Sequence, residues 1–334
     1  MTNDDYVIRL QNELEAQAYP SNIIKKCCAY AENLLSNGLP VLFDANHVYR
    51  VLQLKKVDLN SYHMFSVSQT NKNRIITAPS LQLKKRQQWI LSTILSKVSV
   101  SPYAHGFEVG HSIKTNAFPH INNDYVLCMD IKDFFPSIPK ESVITVFKSL
   151  GYTTSASSML ASICCFNNVL PQGAPTSPRL SNILFKELDT KLAALAAEEN
   201  AVYSRYADDI TFSASHSLEK LFQKAKHLLH DAGFRLNKAK IRFYGPTAPK
   251  TITGLIVQKG TIRVPKHFKR SLKQEIYFCK KLGVLTHLEN IGATRFINYR
   301  EHLYGKAYYI HMIEPNEGAA FLKELDEIDW PSFC

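Results

Sequence analysis

Two adjacent carboxylates between two strand-like segments constrain the fold more than any other feature of this chain. The segment Tyr206-Ala207-Asp208-Asp209 follows Val202-Tyr203 and precedes Ile210-Thr211-Phe212. Neighbouring side chains on a regular strand point to opposite faces of a sheet. Both side chains can therefore reach one site only if the backbone bends where the first strand ends and the two acids begin. The sequence therefore predicts a β-hairpin that turns at Ala207-Asp208.

A third acid ends another strand-like segment. The run from Tyr125 to Met129 is mostly apolar and of strand length, and Asp130 and Ile131 follow it. Acids this close raise one another's pKa unless cations neutralise them. Three carboxylates could hold two Mg²⁺ about 3.5–4 Å apart, an arrangement that assists in-line attack at phosphorus. The cluster predicts a nucleotidyl-transfer site, although an Asp-Asp pair taken alone is also typical of a solvated turn.

The charge of the chain favours a polyanionic partner. Its 334 residues allow two or three structural units, and 40 Lys and Arg against 29 Asp and Glu give a formal net charge of +11. The segment 263–306 holds ten basic residues and three acids. We expect nucleic acid to bind there.

Cysteines and the amino terminus bear on the compartment. Seven cysteines include the pairs Cys27-Cys28 and Cys164-Cys165, without zinc-ligand spacing, which indicates reduced and mostly buried thiols. The acidic start Met1-Thr2-Asn3-Asp4-Asp5 lacks a signal peptide's apolar core, and no run approaches the ~18 apolar residues of a membrane span. We expect a cytoplasmic protein that does not bind a membrane.

Helix and strand signals alternate along the chain. The region 5–37 is predicted to be helical, with Pro20-Ser21 as a start signal and Asn37-Gly38 as the stop signal. Ser80 is a candidate cap for a long helix. Further helices are predicted at 140–149, 155–166, 179–199 and 217–231. The hairpin is predicted at 202–213, short strands at 240–244, 251–257 and 261–264, and a mainly helical region from Lys266 onward.

Six ordered motifs resemble those of reverse transcriptases, and in particular the bacterial retron type. They run from about Arg74 to Gly254 and are, in order, Arg74-Ile75-Ile76-Thr77-Ala78-Pro79, Asp130-Ile131-Lys132-Asp133-Phe134-Phe135, Leu170-Pro171-Gln172-Gly173-Ala174-Pro175-Thr176-Ser177-Pro178, Tyr206-Ala207-Asp208-Asp209, Leu236-Asn237-Lys238-Ala239-Lys240 and Ile252-Thr253-Gly254-Leu255. Two features favour the retron branch. Asn116-Ala117-Phe118-Pro119-His120 matches an Asn-Ala-x-x-His signature, and Ile252-Thr253-Gly254 matches a Val-Thr-Gly signature with Ile in place of Val.

The resemblance implies a right-hand polymerase of the α+β class, with fingers, a palm built on an antiparallel sheet and a mainly helical thumb. The expected ranges are 1–125 for the amino-terminal helices and part of the fingers, 126–264 for the palm, and 265–334 for a basic thumb. Finger elements at about 140–180 would be inserted in the palm range.

By the same resemblance, Asp130, Asp208 and Asp209 are the catalytic acids and bind two Mg²⁺ together with the carbonyl of Ile131, with Mn²⁺ as an alternative ion. Arg74 is expected to hold the triphosphate, since its guanidinium matches phosphate oxygens, and Phe135 is expected to exclude a ribose 2′-hydroxyl. The implied nucleotide-binding residues are Lys72, Arg74, Asp133, Phe135, Gln172 and Lys240.

Other residues are implied to contact the primer, the template or a structured RNA. Tyr206 and Gly254 are expected at the primer and template. The expected RNA contacts are Asn116, His120, Lys266, Lys269, Arg270, Lys273, Arg295 and Arg300. His120 also suits a packed loop residue, Lys240 a solvated lysine, and half of the aromatic residues among the carboxy-terminal helices a helical core.

The implied activity is RNA-directed DNA synthesis on a cognate folded non-coding RNA. It would start from an internal guanosine 2′-hydroxyl, consume deoxynucleotides and leave a branched RNA–DNA hybrid (msDNA). A separate effector or toxin in antiviral defence is the implied protein partner. Only 80 residues, 255–334, follow Gly254, so template removal is expected to need a host ribonuclease H. The alternatives are a group II intron or diversity-generating reverse transcriptase, or a nucleic-acid-binding scaffold that restrains a toxin.

Overall fold

The computed structural model describes residues 2–54, 59, 61–69, 72–258, 260–292 and 298–331, with the side chains of 68–69 and 72–74 outside that description. The chain divides into two compact units. The first comprises residues 1–107, 131–194 and 225–237, and the second comprises 108–130, 195–224 and 238–334.

Thirteen α-helices lie in the described residues. They are α1 Asn3–Ala16, α2 Ser21–Ser36, α3 Ala45–Val51, α4 Leu81–Thr93, α5 Ile113–Ala117, α6 Lys140–Ser149, α7 Thr154–Cys164, α8 Ser177–Glu198, α9 Glu219–Asp231, α10 Lys266–Leu282, α11 Val284–Asn290, α12 Tyr299–Ile313 and α13 Pro315–Asp326. Side-chain caps fix several starts: Ser80 accepts from the Leu83 amide before α4, as predicted, and Thr153 accepts from the Ala156 amide before α7.

Within the described ranges, nine strands form three antiparallel sheets. They are β1 Tyr62–Gln69, β2 Lys72–Pro79, β3 Tyr125–Asp130, β4 Val202–Tyr206, β5 Asp209–Ala214, β6 Arg242–Tyr244, β7 Lys250–Ile252, β8 Leu255–Gln258 and β9 Thr261–Arg263. A hairpin β1-β2 lies in the first unit. The second unit holds the four-stranded sheet in the order β4-β5-β3-β6 and the three-stranded sheet β7-β8-β9.

One hydrophobic core organises the second unit. Val126 of β3 and Val257 of β8 pack in the same cluster as Leu272 of α10 and Leu303 of α12, and all four are buried. The alternating burial of β8 and the apolar stripe of the long helices both face this core. The carboxy-terminal helices are therefore packed on the small sheet that precedes them in sequence.

Most predicted elements are present, with boundaries shifted by a few residues. The helix predicted at 140–149 coincides with α6, and the predicted hairpin at 202–213 is β4-β5. The predicted strand 251–257 is wrong, because residues 253 and 254 turn and separate β7 from β8. Two helices, α1 and α2, occupy the region 5–37.

The cysteines that the structure describes are free thiols, consistent with the reduced state predicted. Cys164, Cys165 and Cys279 are buried, whereas Cys27, Cys28 and Cys128 are half-buried. Among the described helices, none combines the length and apolar character needed to cross a bilayer.

Candidate active site

The turn of the β4-β5 hairpin carries two of the three predicted acids. Tyr206 pairs with Asp209 in the antiparallel register, so Ala207 and Asp208 form a two-residue connection. Ala207 has φ of +56°, a left-handed conformation that residues with a Cβ rarely adopt. The predicted bend is thus confirmed. It places Asp208 directly before Asp209, the first residue of β5.

A buried arginine supports this turn. Arg205 is the largest fully buried side chain in the described residues, and its Nη1 donates to the carbonyl oxygen of Ala207 at 3.1 Å. A charge-assisted bond to the residue with positive φ helps to hold a strained backbone. Arg205 belongs to none of the motifs that predict the site. The available signal was a lone charged residue within a strand otherwise made of small and aromatic residues.

The third acid lies directly across the sheet from the hairpin. Asp130, the last residue of β3, pairs with Asp209 in the register of β3 and β5. Asp130 is 3% exposed, while Asp208 and Asp209 are half-buried. Two adjacent acids on one hairpin and one acid on the next strand therefore meet where the two central strands of the sheet, β3 and β5, share one end.

The protein supplies a cation to this cluster. The Nζ of Lys240, from a short 3-10 turn before β6, donates to Oδ2 of Asp130. Burial lowers the pKa of Lys240, but the bond to Asp130 and the negative charges of Asp130, Asp208 and Asp209 outweigh it and raise that pKa above its ordinary value. Lys240, predicted as a nucleotide-binding residue, therefore lies at the acids and remains fully charged at neutral pH.

Electrostatic repulsion is concentrated on Asp209. Burial, followed by the negative charges of Asp208 and Asp130, raises the pKa of Asp209 to about 6, and Lys240 offsets only part of this effect. An acid whose ionised form is disfavoured by its neighbours gains from an added cation. The site is therefore deficient in positive charge even with Lys240 in place.

The donor set fits a hard divalent cation. Carboxylate oxygens are the ligands that Mg²⁺ prefers, and a few of them suffice because substrate phosphates and water complete its shell. In the part of the chain that the structure describes, no three His, Cys, Asp or Glu side chains form a ready-made metal cage.

A buried polar cluster lies behind the hairpin. Nδ1 of His120 lies 2.6 Å from Oγ of Ser213 on β5, and its Nε2 lies 2.8 Å from Oγ of Ser204 on β4. Ser204 also donates to Oδ1 of Asn116 at 2.9 Å. His120 and Asn116 are both 0% exposed. The prediction that these two side chains contact RNA is wrong for this structure, because both are enclosed and bonded to the sheet.

The hairpin β7-β8 has the turn chemistry of a tight two-residue connection. Thr253 and Gly254 have φ of +43° and +82°, and Ile252 pairs with Leu255 across the turn. Two consecutive positive φ values are typical of a type I′ turn, which glycine favours. Gly254 is exposed at its tip, so the residue predicted to contact the primer is accessible.

In the first unit, Gln172 is attached to the β1-β2 hairpin through its backbone. The amide of Thr77 donates to the carbonyl oxygen of Gln172 at 2.8 Å. Gly173 follows with φ of +139°, and a Cβ there would lie 2.7 Å from the carbonyl oxygen of Thr77. Only glycine fits this close approach. Gly173 thus brings this turn into backbone contact with the β1-β2 hairpin.

Phe135 belongs to an aromatic group and is only half-buried. Its ring centroid lies 5.6 Å from that of Phe134 and 6.1 Å from that of Phe107. Phe134 is 5% exposed and contacts Phe185 and Phe234. Phe134 is therefore the core residue of the pair, and Phe135 retains an accessible face.

The remaining predicted site residues lie partly within and partly outside the described structure. Asp133 is exposed and has φ of +51°. Lys72 and Arg74 lie on β2, but their side chains fall outside the described part of the structure, and so does all of Arg295. Ile131 is buried and forms a bridge with Leu236.

The predicted RNA-binding cations of the helical region fall into two groups. Lys269 is 15% exposed and bonds to Glu314 at 3.1 Å and Glu317 at 2.6 Å. It is therefore a structural ion-pair residue, which corrects the prediction of an RNA contact. Lys266, Arg270 and Lys273 line a groove of about 400 Å³ between α10 and α13. The guanidinium of Arg300 lies 5.5 Å from the centroid of the Tyr304 ring.

Comparison with known proteins identifies the family. A family profile described as reverse transcriptase (RNA-dependent DNA polymerase) matches residues 55–264. The Retron Ec86 reverse transcriptase of Escherichia coli is 34% identical over 267 residues, which cover 75% of this chain and 83% of that protein. The Retron Mx162 reverse transcriptase of Myxococcus xanthus is 30% identical over 346 residues, with coverages of 89% and 70%.

A solved structure of the foamy viral protease-reverse transcriptase in complex with RNA/DNA hybrid is 15% identical, with a TM-score of 0.41 and coverages of 80% and 34%. The profile, together with the mixed helices and antiparallel sheets, defines the class of the protein as an RNA-directed DNA polymerase with the α+β right-hand fold. The two bacterial relatives narrow this class. The chain belongs to the retron reverse transcriptases.

Proposed function

We propose that this chain copies a cognate structured non-coding RNA into DNA, begins from a 2′-hydroxyl of an internal guanosine, and leaves a branched RNA–DNA hybrid. Family membership supports the polymerase activity. The observation that carries the proposal is the pairing of Asp130 with Asp209 beside the turn that holds Asp208.

Within this proposal, Asp130, Asp208, Asp209 and the carbonyl of Ile131 hold two Mg²⁺, with Mn²⁺ as a substitute. When bound, such ions lower the pKa of the attacking hydroxyl and stabilise the charge that develops on the leaving pyrophosphate. Asp130 is buried and Asp208 and Asp209 are half-buried, so their charge lies in a low-dielectric setting, where electrostatic interactions are strong. The raised pKa of Asp209 supports a site that binds cations.

Lys240 has two proposed roles at different stages. Before the ions bind, its ammonium neutralises Asp130. With the ions bound, the Lys240 ammonium would no longer be needed at Asp130 and would donate a proton to the departing pyrophosphate. Its side chain is 44% exposed, which supports mobility after release.

The remaining assignments stay predictions from the motifs. Lys72, Arg74, Asp133, Phe135 and Gln172 bind the incoming deoxynucleotide, and Phe135 selects against ribose. Tyr206 and Gly254 contact the primer or template. We propose fingers, palm and thumb at the ranges 1–125, 126–264 and 265–334, with inserted finger elements at about 140–180. The thumb cations that contact RNA are Lys266, Arg270, Lys273, Arg295 and Arg300.

The cellular setting follows from the same proposal. The chain acts in the cytoplasm with a separate effector protein in defence against phage, and a host ribonuclease H removes template RNA. Co-expression with the neighbouring genomic segment tests the product: we expect a short DNA in total nucleic acid whose migration shifts after ribonuclease treatment. Asp208→Asn with Asp209→Asn is the matched control.

The control also separates enzyme from scaffold. A polymerase loses both the DNA and its cellular activity when these two acids become amides. Cellular activity that survives without DNA synthesis would contradict the proposal and favour a scaffold that restrains a toxin. A linear, unbranched product primed elsewhere would contradict the proposed priming step alone.

A further inference from the structure

A second polar cavity lies at the end of β3 opposite to the catalytic acid. It has a volume of about 440 Å³ and is formed by the loop before β3, the segment between β6 and β7, and the end of β8. Strand β3 runs from Tyr125 to Asp130. At about 3.3 Å per residue, the cavity begins about 17 Å from Asp130. It is therefore separate from the site described above.

Strand pairing fixes the walls of this cavity. Val126 pairs with Tyr244, so the segment that follows β6 passes beside the residues that precede β3. The amide of Gly260 donates to the carbonyl oxygen of Ile121 at 3.2 Å, and this bond joins the end of β8 to the loop before β3. The walls are held by backbone bonds within one unit, so the cavity is preformed.

Lys250 is the most informative side chain in the lining. It is 8% exposed overall, yet among the described residues its ammonium has no hydrogen bond and no carboxylate within ion-pair distance. An anion entering the cavity would supply the missing partner, as phosphates commonly do for lysine.

The other lining groups suit a nucleobase. Asn122 and Gln258 are exposed carboxamides that can both donate and accept, and Asp124 is an exposed carboxylate that accepts N–H groups. Unpaired RNA bases are read by groups of this kind along their Watson–Crick edges. The volume also falls within the roughly 300–1,000 Å³ that is typical of ligand pockets.

We propose that this cavity binds one unpaired nucleotide of RNA, with a backbone phosphate on Lys250 and the base edge on Asn122, Asp124 and Gln258. The proposal rests on the proposed function in one respect, namely that the enzyme holds RNA while copying it. A nucleotide held here would anchor the RNA at a fixed distance from the acids, outside the cleft where bases are added.

The first test compares two lysine variants of the full chain. We would measure binding of a fluorescein-labelled single-stranded RNA of about six nucleotides by fluorescence anisotropy. The salt concentration would vary between about 50 and 300 mM, because the salt dependence of the affinity reports counterion release. Lys250→Gln should weaken binding about five- to twenty-fold and reduce the salt slope by about 0.7, the share of one phosphate on a single strand. Lys226→Gln removes one exposed positive charge from α9 and should change affinity less than about two-fold.

Charge and base readout are then separated. Lys250→Arg should retain most of the affinity and the salt slope, because the positive charge remains. Gln258→Ala should change the preference among RNAs of different base composition and leave the salt slope unchanged. Identical affinity and slope for Lys250→Gln and Lys226→Gln would overturn the proposal.

Thermal unfolding shows whether Lys250→Gln is folded. A cross-linking experiment on the wild-type chain locates the bound RNA without any substitution. Wild-type chain is irradiated with the same RNA carrying 4-thiouridine, and cross-linked peptides are identified by mass spectrometry. Cross-links within 121–124 or 246–258 support the site, and cross-links confined to other segments refute it. Extension of a DNA primer annealed to an RNA template reports the polymerase separately, because RNA binding is measured without nucleotide addition.

Discussion

Replacing Asp209 by asparagine should make the metal-free protein more stable at neutral pH while it abolishes DNA synthesis. Burial and the charges of Asp208 and Asp130 raise the pKa of Asp209 to about 6 from an ordinary 3.8. Ionising this carboxyl in the folded chain is therefore unfavourable. Asparagine has nearly the same shape and carries no charge.

The magnitude follows from proton linkage. A folded-state pKa above the unfolded value means that the folded protein binds more protons, so the contribution is favourable below about pH 3.8 and is lost as pH rises through about 6. The interval corresponds to about 3 kcal/mol at 1.36 kcal/mol per pH unit. Asp209 is only half-buried, so solvent screening reduces this to about 1.5–3 kcal/mol.

The assay is thermal unfolding in EDTA from pH 4 to pH 8. The melting temperature of Asp209→Asn should exceed that of the wild type by about 2–5 °C above pH 7, and the gap should narrow toward pH 4. Asp231→Asn, at a side chain that is 77% exposed, should show no such widening. Millimolar Mg²⁺ should then raise the melting temperature of the wild type more than that of Asp209→Asn.

Two results would refute this reasoning. An Asp209→Asn protein that melts at or below the wild-type temperature above pH 7 in EDTA would show that the carboxyl is not repelled by its neighbours. An equal response of both proteins to Mg²⁺ would show that Asp209 is not a ligand.

Three further predictions concern positions around the active site and its supporting structure. Phe135→Val should admit ribonucleotides, and primer extension with each sugar measures this; unchanged discrimination would remove Phe135 from the sugar site. Gly173→Ala should destabilise the first unit by about 1–3 kcal/mol, because its Cβ would lie 2.7 Å from the Thr77 carbonyl oxygen and the residue has positive φ; chemical denaturation checks this, and an unchanged midpoint would contradict it. His120→Ala should cost about 2–4 kcal/mol, because the buried hydroxyls of Ser204 and Ser213 lose a partner, and its RNA affinity should remain normal when folded; a selective loss of RNA binding would restore the predicted contact.

Local sequence was sufficient where one short segment determines the structure. The hairpin that turns at Ala207-Asp208 could be predicted because β-branched and aromatic residues flank the two adjacent carboxylates. The pairing of Asp130 with Asp209 could not be obtained from periodicity, since strand order depends on distant residues. The motif order supplied that information.

The errors have a common physical origin in burial. The Asn-Ala-x-x-His signature implies RNA contacts for Asn116 and His120, with a packed loop residue as the alternative for His120, yet both side chains are buried and bond to serines of β4 and β5. Lys269 is likewise occupied by Glu314, which lies 45 positions away in sequence. The strand predicted at 251–257 failed for another reason, because Thr253 adopts a positive φ that its β-branched side chain disfavours.

The bond between Lys240 and Asp130 has a thermodynamic consequence for how the enzyme responds to divalent ions. An ion that takes this carboxylate must displace an internal competitor, so its apparent affinity is the difference between two interactions rather than the strength of one. Shortening or neutralising that lysine would therefore shift the ion concentration at half-saturation downward, even as it impairs turnover. The apparent ion affinity would then rise while the rate falls in a single variant.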